Sequence, residues 1–252
     1  MTGIPVSARL CSAIALACVS VLASPSRCPA ASAPVYKVVK SIPLKSHFAT
    51  HSDWVVTAYQ AQQSSDPDSI GDDPAKLCFS RLNDKRDDCT KITSGMPNNP
   101  GFLYNYQTVR QLGIVPLKAG IQAIEFQAEF SGGGSGLGEQ ISIWTYDQKG
   151  DSFWPALTIT SNESIQCKVI STGPLAGYVI SADAVWQSDK GEAHFDAHQF
   201  EISVYRLSGQ FYLKVLTYLT TQKYGGEGER NQTDAIGGEM TRIRSLLKAI
   251  RQ

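Results

Sequence analysis

Residues 191–200 read GEAHFDAHQF, which sets Glu192, His194, Asp196 and His198 at every second position. Carboxylates and imidazoles are ligand types that zinc accepts, and alternate residues of an extended strand share one face. The other two histidines, His47 and His51, stand in SHFATHSDW with the same H-F-x-x-H spacing. The surrounding pattern weighs against a four-ligand face. On one flat strand the apolar side would run Ala193, Phe195, Ala197 and then change over to Phe200, Ile202 and Val204. Such a change marks a bulge or a turn. The preferred reading is a polar strand end, broken at 196–198, with structural histidines. A zinc site at His194 and His198, with Glu192 and Asp196 as further ligands and hydrolysis as its chemistry, is the enzymatic alternative.

A second candidate is FSGGGSGLGE. A phosphate loop needs Gly-Lys-Ser/Thr opening a helix, and here no Lys is present and a strand pattern follows. A serine elbow needs G-x-S-x-G, whereas the glycine after Ser135 and Gly136 comes one place late, at Gly138. The stretch reads as a hairpin loop, and its glycines exceed what a hairpin needs. That excess makes Ser131, Gly132, Gly133, Gly134, Ser135 and Gly136 a candidate partner loop. DPDSIGDD places Asp66, Asp68 and Gly71 at calcium-loop positions, but Ile70 occupies a ligand position and Leu77 replaces the bidentate Glu. Trp54, Trp144, Trp154 and Trp186 are either core residues or a stacking platform for a glycan. Calcium, zinc and glycan are thus alternatives to the main expectation, which includes no cofactor. Two sequons begin at Asn162 and Asn231.

The elements that must hold these residues are strands. In AIEFQAEF, Ile124, Phe126, Ala128 and Phe130 alternate with Glu125, Gln127 and Glu129. QISIWTY, GYVISADAVW, QFEISVYRL and FYLKVLTYLTT repeat the period of two, with Phe211, Leu213, Val215 and Leu219 sharing a side in the last. SGGGSG, DQKGD, TGPLAG and SDKGE separate them, and such short connections join antiparallel neighbours. GEMTRIRSLLKAIRQ instead spaces Met240, Ile243, Leu247 and Ile250 as one helical stripe, widened by Leu246. The expected fold is mainly β: an antiparallel meander or sandwich with one C-terminal amphipathic helix. It forms a single domain over 34–252, with a loop-rich part at 34–118 and a regular sheet plus helix at 119–252. DWVVTAYQ is a strand of the first part, and the stretches 64–74 and 94–101 (SGMPNNPG) read as loops.

Residues 10–23, LCSAIALACVSVLA, follow the lone early charge Arg9 and read as the core of a secretory signal within 1–33, cleaved between 23 and 33. Lipidation at Cys18 is a minority reading. The run is too short to span a bilayer, and no longer one follows, so no membrane span is expected in the mature chain. Without 1–33 the chain has 21 basic and 23 acidic residues, net −2. No basic patch stands out, which weighs against a nucleic-acid partner. Cys78 and Cys89 flank the charged stretch FSRLNDKRDD and are expected to form a disulfide across a hairpin, as suits an oxidising compartment. Cys167 either pairs with Cys28 or stays free.

FSGGGSG followed by ISIWTYD, and EAHFDAHQFEISVY followed by KVLTY, resemble uncharacterised secreted proteins of Gram-negative bacteria over residues 121–224. The resemblance implies a periplasmic or secreted location. The Ser-Gly-rich loop between strands also resembles that of periplasmic lysozyme inhibitors, which implies a protein partner. The Lys and Tyr that follow such a loop in that family are replaced here by Leu137, Gly138 and Glu139. The leading expectation is a non-enzymatic binding protein of the cell envelope or exterior, with a protein or glycan partner.

Overall fold

The computed structural model describes residues 33–62, 73–82, 87–96, 99–118, 120–131, 137–161, 165–186, 191–192, 196–225 and 234–250. Within these, the fold is mainly β, antiparallel, and closed by a C-terminal helix. Sheet I joins β1 (Tyr36–Pro43), β2 (Trp54–Ala61), β3 (Lys76–Arg81) and β4 (Asp87–Lys91) in that order. A four-residue helix, α1 (Lys45–Phe48), lies between β1 and β2. A small ribbon pairs β5 (Thr93–Met96) with β6 (Asn99–Asn105). Sheet II is built from β7 (Thr108–Lys118), β8 (Ile121–Ser131), β9 (Leu137–Asp147) and β10 (Ser152–Ser161). Sheet III comprises β11 (Ile165–Val169), β12 (Tyr178–Val185), β13 (Gln199–Ser208) and β14 (Phe211–Leu219), and α2 (Ala235–Ile250) follows it. Sequence neighbours are sheet neighbours throughout, so each sheet is a meander.

Three cores stack the layers. Val56, Leu77 and Phe79 of sheet I meet Leu112, Ile124, Phe126 and Trp144 of sheet II. The opposite face of sheet II, with Ala123, Ile141, Ile143 and Leu157, meets Ile165, Val179 and Tyr212 of sheet III. The far face of sheet III, with Ile180, Phe200, Ile202 and Val204, receives Ile236, Ile243 and Leu247 of α2. Sheet II is therefore covered on both sides. A strand with two covered faces normally carries a continuous apolar run, yet β8 alternates apolar and polar residues. Its polar face has been turned inward.

Several expectations need correction. SGMPNNPG is not a loop throughout: Thr93 pairs with Asn105 and Met96 with Asn99, so the described residues on either side of 97–98 belong to a ladder. Among the described residues the part up to 118 holds seven strands, more regular structure than a loop-rich segment would have. On β14 the buried residue is Tyr212, while Phe211 and Leu213 are each 52% exposed. A bulge opposite Val204/Tyr205 shifts the pairing from Leu216 to Lys214 and reverses the faces there. Of the tryptophans, Trp54 and Trp144 belong to the first core, leaving Trp154 and Trp186 exposed on separate strand ends, so the four form no common platform. Along α2, Ile243 and Leu247 are buried and Met240 is partly covered, but Ile250 is exposed. Leu247→Ala is expected to cost ~2–5 kcal/mol in urea denaturation. A change within error would place the helix outside the core.

Candidate functional site

The hairpin of β8 and β9 puts Glu129 directly opposite Glu139. The next strand puts Ser161 opposite Glu139. In sheet III the pairing of β12 with β13 puts Asp183 opposite Glu201. Glu129 and Glu139 share the face of Ile141 and Ile143, and Asp183 shares that of Val179, so strand alternation aims both pairs into the seam between sheets II and III. The two sheets are tied at this end. Ser161 Oγ hydrogen-bonds Asp183 Oδ1, and the backbone N–H of Ile165 donates to Glu139 Oε2 at 2.8 Å. Four carboxylates from two sheets thus gather at one end of the seam, with burial increasing from exposed Glu201 to Glu129 at 8% exposure.

Arg110 brings a cation to this cluster: its Nε pairs with Glu129 Oε2, and its side chain is half-exposed. Among the described residues no cation pairs directly with Glu139. Desolvation raises its pKa, the charge of Glu129 adds to the rise, and the Ile165 N–H and Arg110 pull it back only in part. Like charges directly opposite on neighbouring strands destabilise a sheet. Farther into the seam Glu125 is also buried, at 8% exposure, and accepts from Gln127 Nε2 at 2.9 Å and Gln111 Nε2 at 3.3 Å. Cys167 faces this interior as a free thiol. Burial, with Glu125 adding to it, pushes its pKa up to about 12, so it stays protonated and behaves as a small apolar side chain. Cys28 lies outside the described residues.

The stretch singled out for metal binding is resolved differently. Glu192 and His198 come together, with His198 Nδ1 3.3 Å from Glu192 Oε2, and Lys223 Nζ takes the other oxygen at 2.5 Å. Trp186 Nε1 donates to the Glu192 carbonyl at 2.8 Å. His198 is buried and exchanges both backbone hydrogen bonds with Tyr224, just before β13 begins. Asp196 is exposed, and His194 lies outside the described residues. His47 and His51 lie elsewhere, both exposed: His47 is in α1 and His51 follows it, with the His51 N–H donating to Tyr146 OH at 3.2 Å. Among the described residues no three His, Cys, Asp or Glu side chains converge as metal ligands. The calcium-like stretch 66–72 lies outside the described residues.

Ser131 closes β8 opposite Leu137, two ladder positions beyond the Glu129/Glu139 pair. Gly132, Gly133, Gly134, Ser135 and Gly136 lie outside the described residues. The carboxylate pair itself escaped the sequence reading, which took Glu125, Gln127 and Glu129 as the polar side of a half-buried strand. One signal was available: Glu129 and Glu139 each stand five residues from Gly134 of the SGGGSG stretch, so a hairpin symmetric about Gly134 pairs them.

Taken together, fold and site define a layered antiparallel β protein with an acidic inter-sheet end. No family model, no curated protein and no solved structure matches the chain.

Proposed function

We propose that this is an exported, non-enzymatic binding protein of the cell envelope or exterior that takes a basic protein partner at the acidic end of the seam. The observation that carries the reading is the placement of two like-charge pairs at directly opposite strand positions, Glu129/Glu139 and Asp183/Glu201, facing the same seam. Such pairs cost stability, and costly local arrangements concentrate where a chain binds or reacts. A Lys- or Arg-rich segment would relieve the repulsion while gaining charge-assisted hydrogen bonds. Export is supported by the signal-like 10–23 stretch and by the disulfide between Cys78 and Cys89, a bond that persists in oxidising compartments.

A role like that of periplasmic lysozyme inhibitors is a second reading of the same end. It draws support from the position of Ser131 two ladder positions beyond the carboxylate pair. The hydrolase reading at His194 and His198 has less support, because His198 Nδ1 is already engaged by Glu192.

Titration of a Lys-rich peptide and of lysozyme into wild type and into the Glu139→Gln/Glu201→Gln variant separates these readings. A basic partner site gives binding that weakens at least ~10-fold in the variant, each charge-assisted contact contributing about 1.5–3 kcal/mol, and that weakens further with salt. Equal affinity in both proteins, or no binding of either probe at low salt, would sink the proposal.

A further inference from the structure

The geometry points to β4 as a redox-releasable edge strand, held in sheet I by its disulfide and set free when a dithiol reductant cleaves that bond. All five residues of β4 are exposed, so no side chain of the strand anchors it in a core. It pairs with β3 through five ladder positions, from Lys76↔Lys91 to Ser80↔Asp87. The Cys78–Cys89 bond crosses the central one of these positions. Its two ends differ. Cys78 is buried, at 3% exposure, in a strand that also carries core residues Leu77 and Phe79. Cys89 is exposed.

The strand is bracketed by two fixed points. Leu82 N–H donates to the Asp53 carbonyl at 3.1 Å. Ile92, at 4% exposure, donates its N–H to Ala75 O at 2.9 Å and accepts from Tyr106 N–H at 3.0 Å. These contacts do not involve the disulfide. Opening β4 therefore leaves the sheet I core intact and makes β3 the new edge.

The chemistry is thiol–disulfide exchange with a dithiol. One thiolate of the reductant attacks the exposed Cys89 Sγ, the S–S bond breaks, and Cys78 leaves as a thiolate that takes a proton. The second thiol of the reductant then attacks the mixed disulfide and releases Cys89. The protein gains two electrons and two protons, and the reductant departs as its disulfide. With the bond gone, the closed loop regains its conformational freedom and the opened state becomes on the order of 100-fold more populated.

Hydrogen exchange on the folded protein, with and without dithiol, tests this. The β4 amides paired with β3 should exchange on the order of 100-fold faster after reduction, the loop-closure effect of a bond of this span. Amides of β2 and of sheets II and III should be unchanged. Cys89→Ser should reproduce the result without reductant, since its side chain fills no core space. Unchanged β4 exchange in both samples, or loss of protection across all sheets together, would overturn the proposal.

Discussion

Replacing Glu239 with Ala should destabilise the protein by about 3–6 kcal/mol, because each hydrogen bond to a charged group contributes about 1.5–3 kcal/mol and two are lost. Glu239 lies in the first part of α2 and is 5% exposed. It accepts from Tyr218 OH and from Tyr224 OH, both at 2.9 Å. Arg242 reaches the same carboxylate at 3.7 Å and lies over the Tyr218 ring, 4.4 Å from its centroid. One helical carboxylate thus fastens α2 to β14 and to the segment that bridges His198. Removal leaves two phenols without their acceptor in a covered site. Glu239→Gln should cost less, since its amide oxygen still accepts. Gly238 makes the arrangement possible: a Cβ there would stand 2.8 Å from Tyr224 OH. Ala is the better helix former by about 1 kcal/mol, yet Gly238→Ala should still destabilise, because Tyr224 must leave Glu239. Urea denaturation of the three variants checks the order. A stable Glu239→Ala protein would mean that α2 is held by its apolar stripe alone.

Asp151 is the corresponding hub at the other end of the stack. It sits in the β9–β10 turn at a φ of 45°, a left-handed position that Asp and Asn tolerate. Its carboxylate accepts from Ser52 Oγ at 2.5 Å, Tyr146 OH at 2.6 Å and Trp54 Nε1 at 3.1 Å. Desolvation pushes its pKa up, but these donors overcome that and bring it down to about 2, from an ordinary 3.8. A depressed pKa means that the folded state favours the ionised form. The stabilisation is complete above pH 3.8 and is lost as pH falls towards 2. Asp151→Asn keeps the backbone conformation and removes the charge. It should cost about 2–3 kcal/mol at pH 7, the scale of charge-assisted hydrogen bonds. The difference from wild type should vanish near pH 2. A gap that persists at pH 2 would show that the charge is not what holds the turn.

The sequence and the structure agree where local pattern decides. Period-two alternation marks β8, β9, β12 and β13, and the stripe through Ile243 and Leu247 marks α2. The Cys78–Cys89 hairpin follows from the charged stretch between two short apolar segments. The pattern fails where a tertiary layer decides. Glu125 and Glu129 read as solvent-facing because alternation says only that two faces differ, not that both are covered. Asp183 and Glu201 stand opposite each other through a β12–β13 register that strand alternation alone does not fix. The β14 bulge reverses a face by adding one residue, which a flat-strand reading cannot place. His198 was read as the edge of a break, and it does stand just outside β13. Its contacts to Glu192, Lys223 and Tyr224 depend on the segment after β14, which no spacing rule connects to it.

Glu139 has the opposite linkage to Asp151. Its raised pKa means that the folded state favours the protonated form, so stability present below pH 4.5 is lost as pH rises through the folded value. Chemical denaturation of Glu139→Gln at pH 7, with peptide titration on the same samples, therefore tests most directly whether the acidic end exists for binding. Gln keeps an acceptor for Ile165 N–H and removes the charge opposite Glu129. The account requires equal or greater stability, by up to ~1 kcal/mol for a cross-strand pair, together with weaker binding of the Lys-rich peptide. A variant that loses stability while binding the peptide as tightly as wild type would contradict it and would make Glu139 a structural residue.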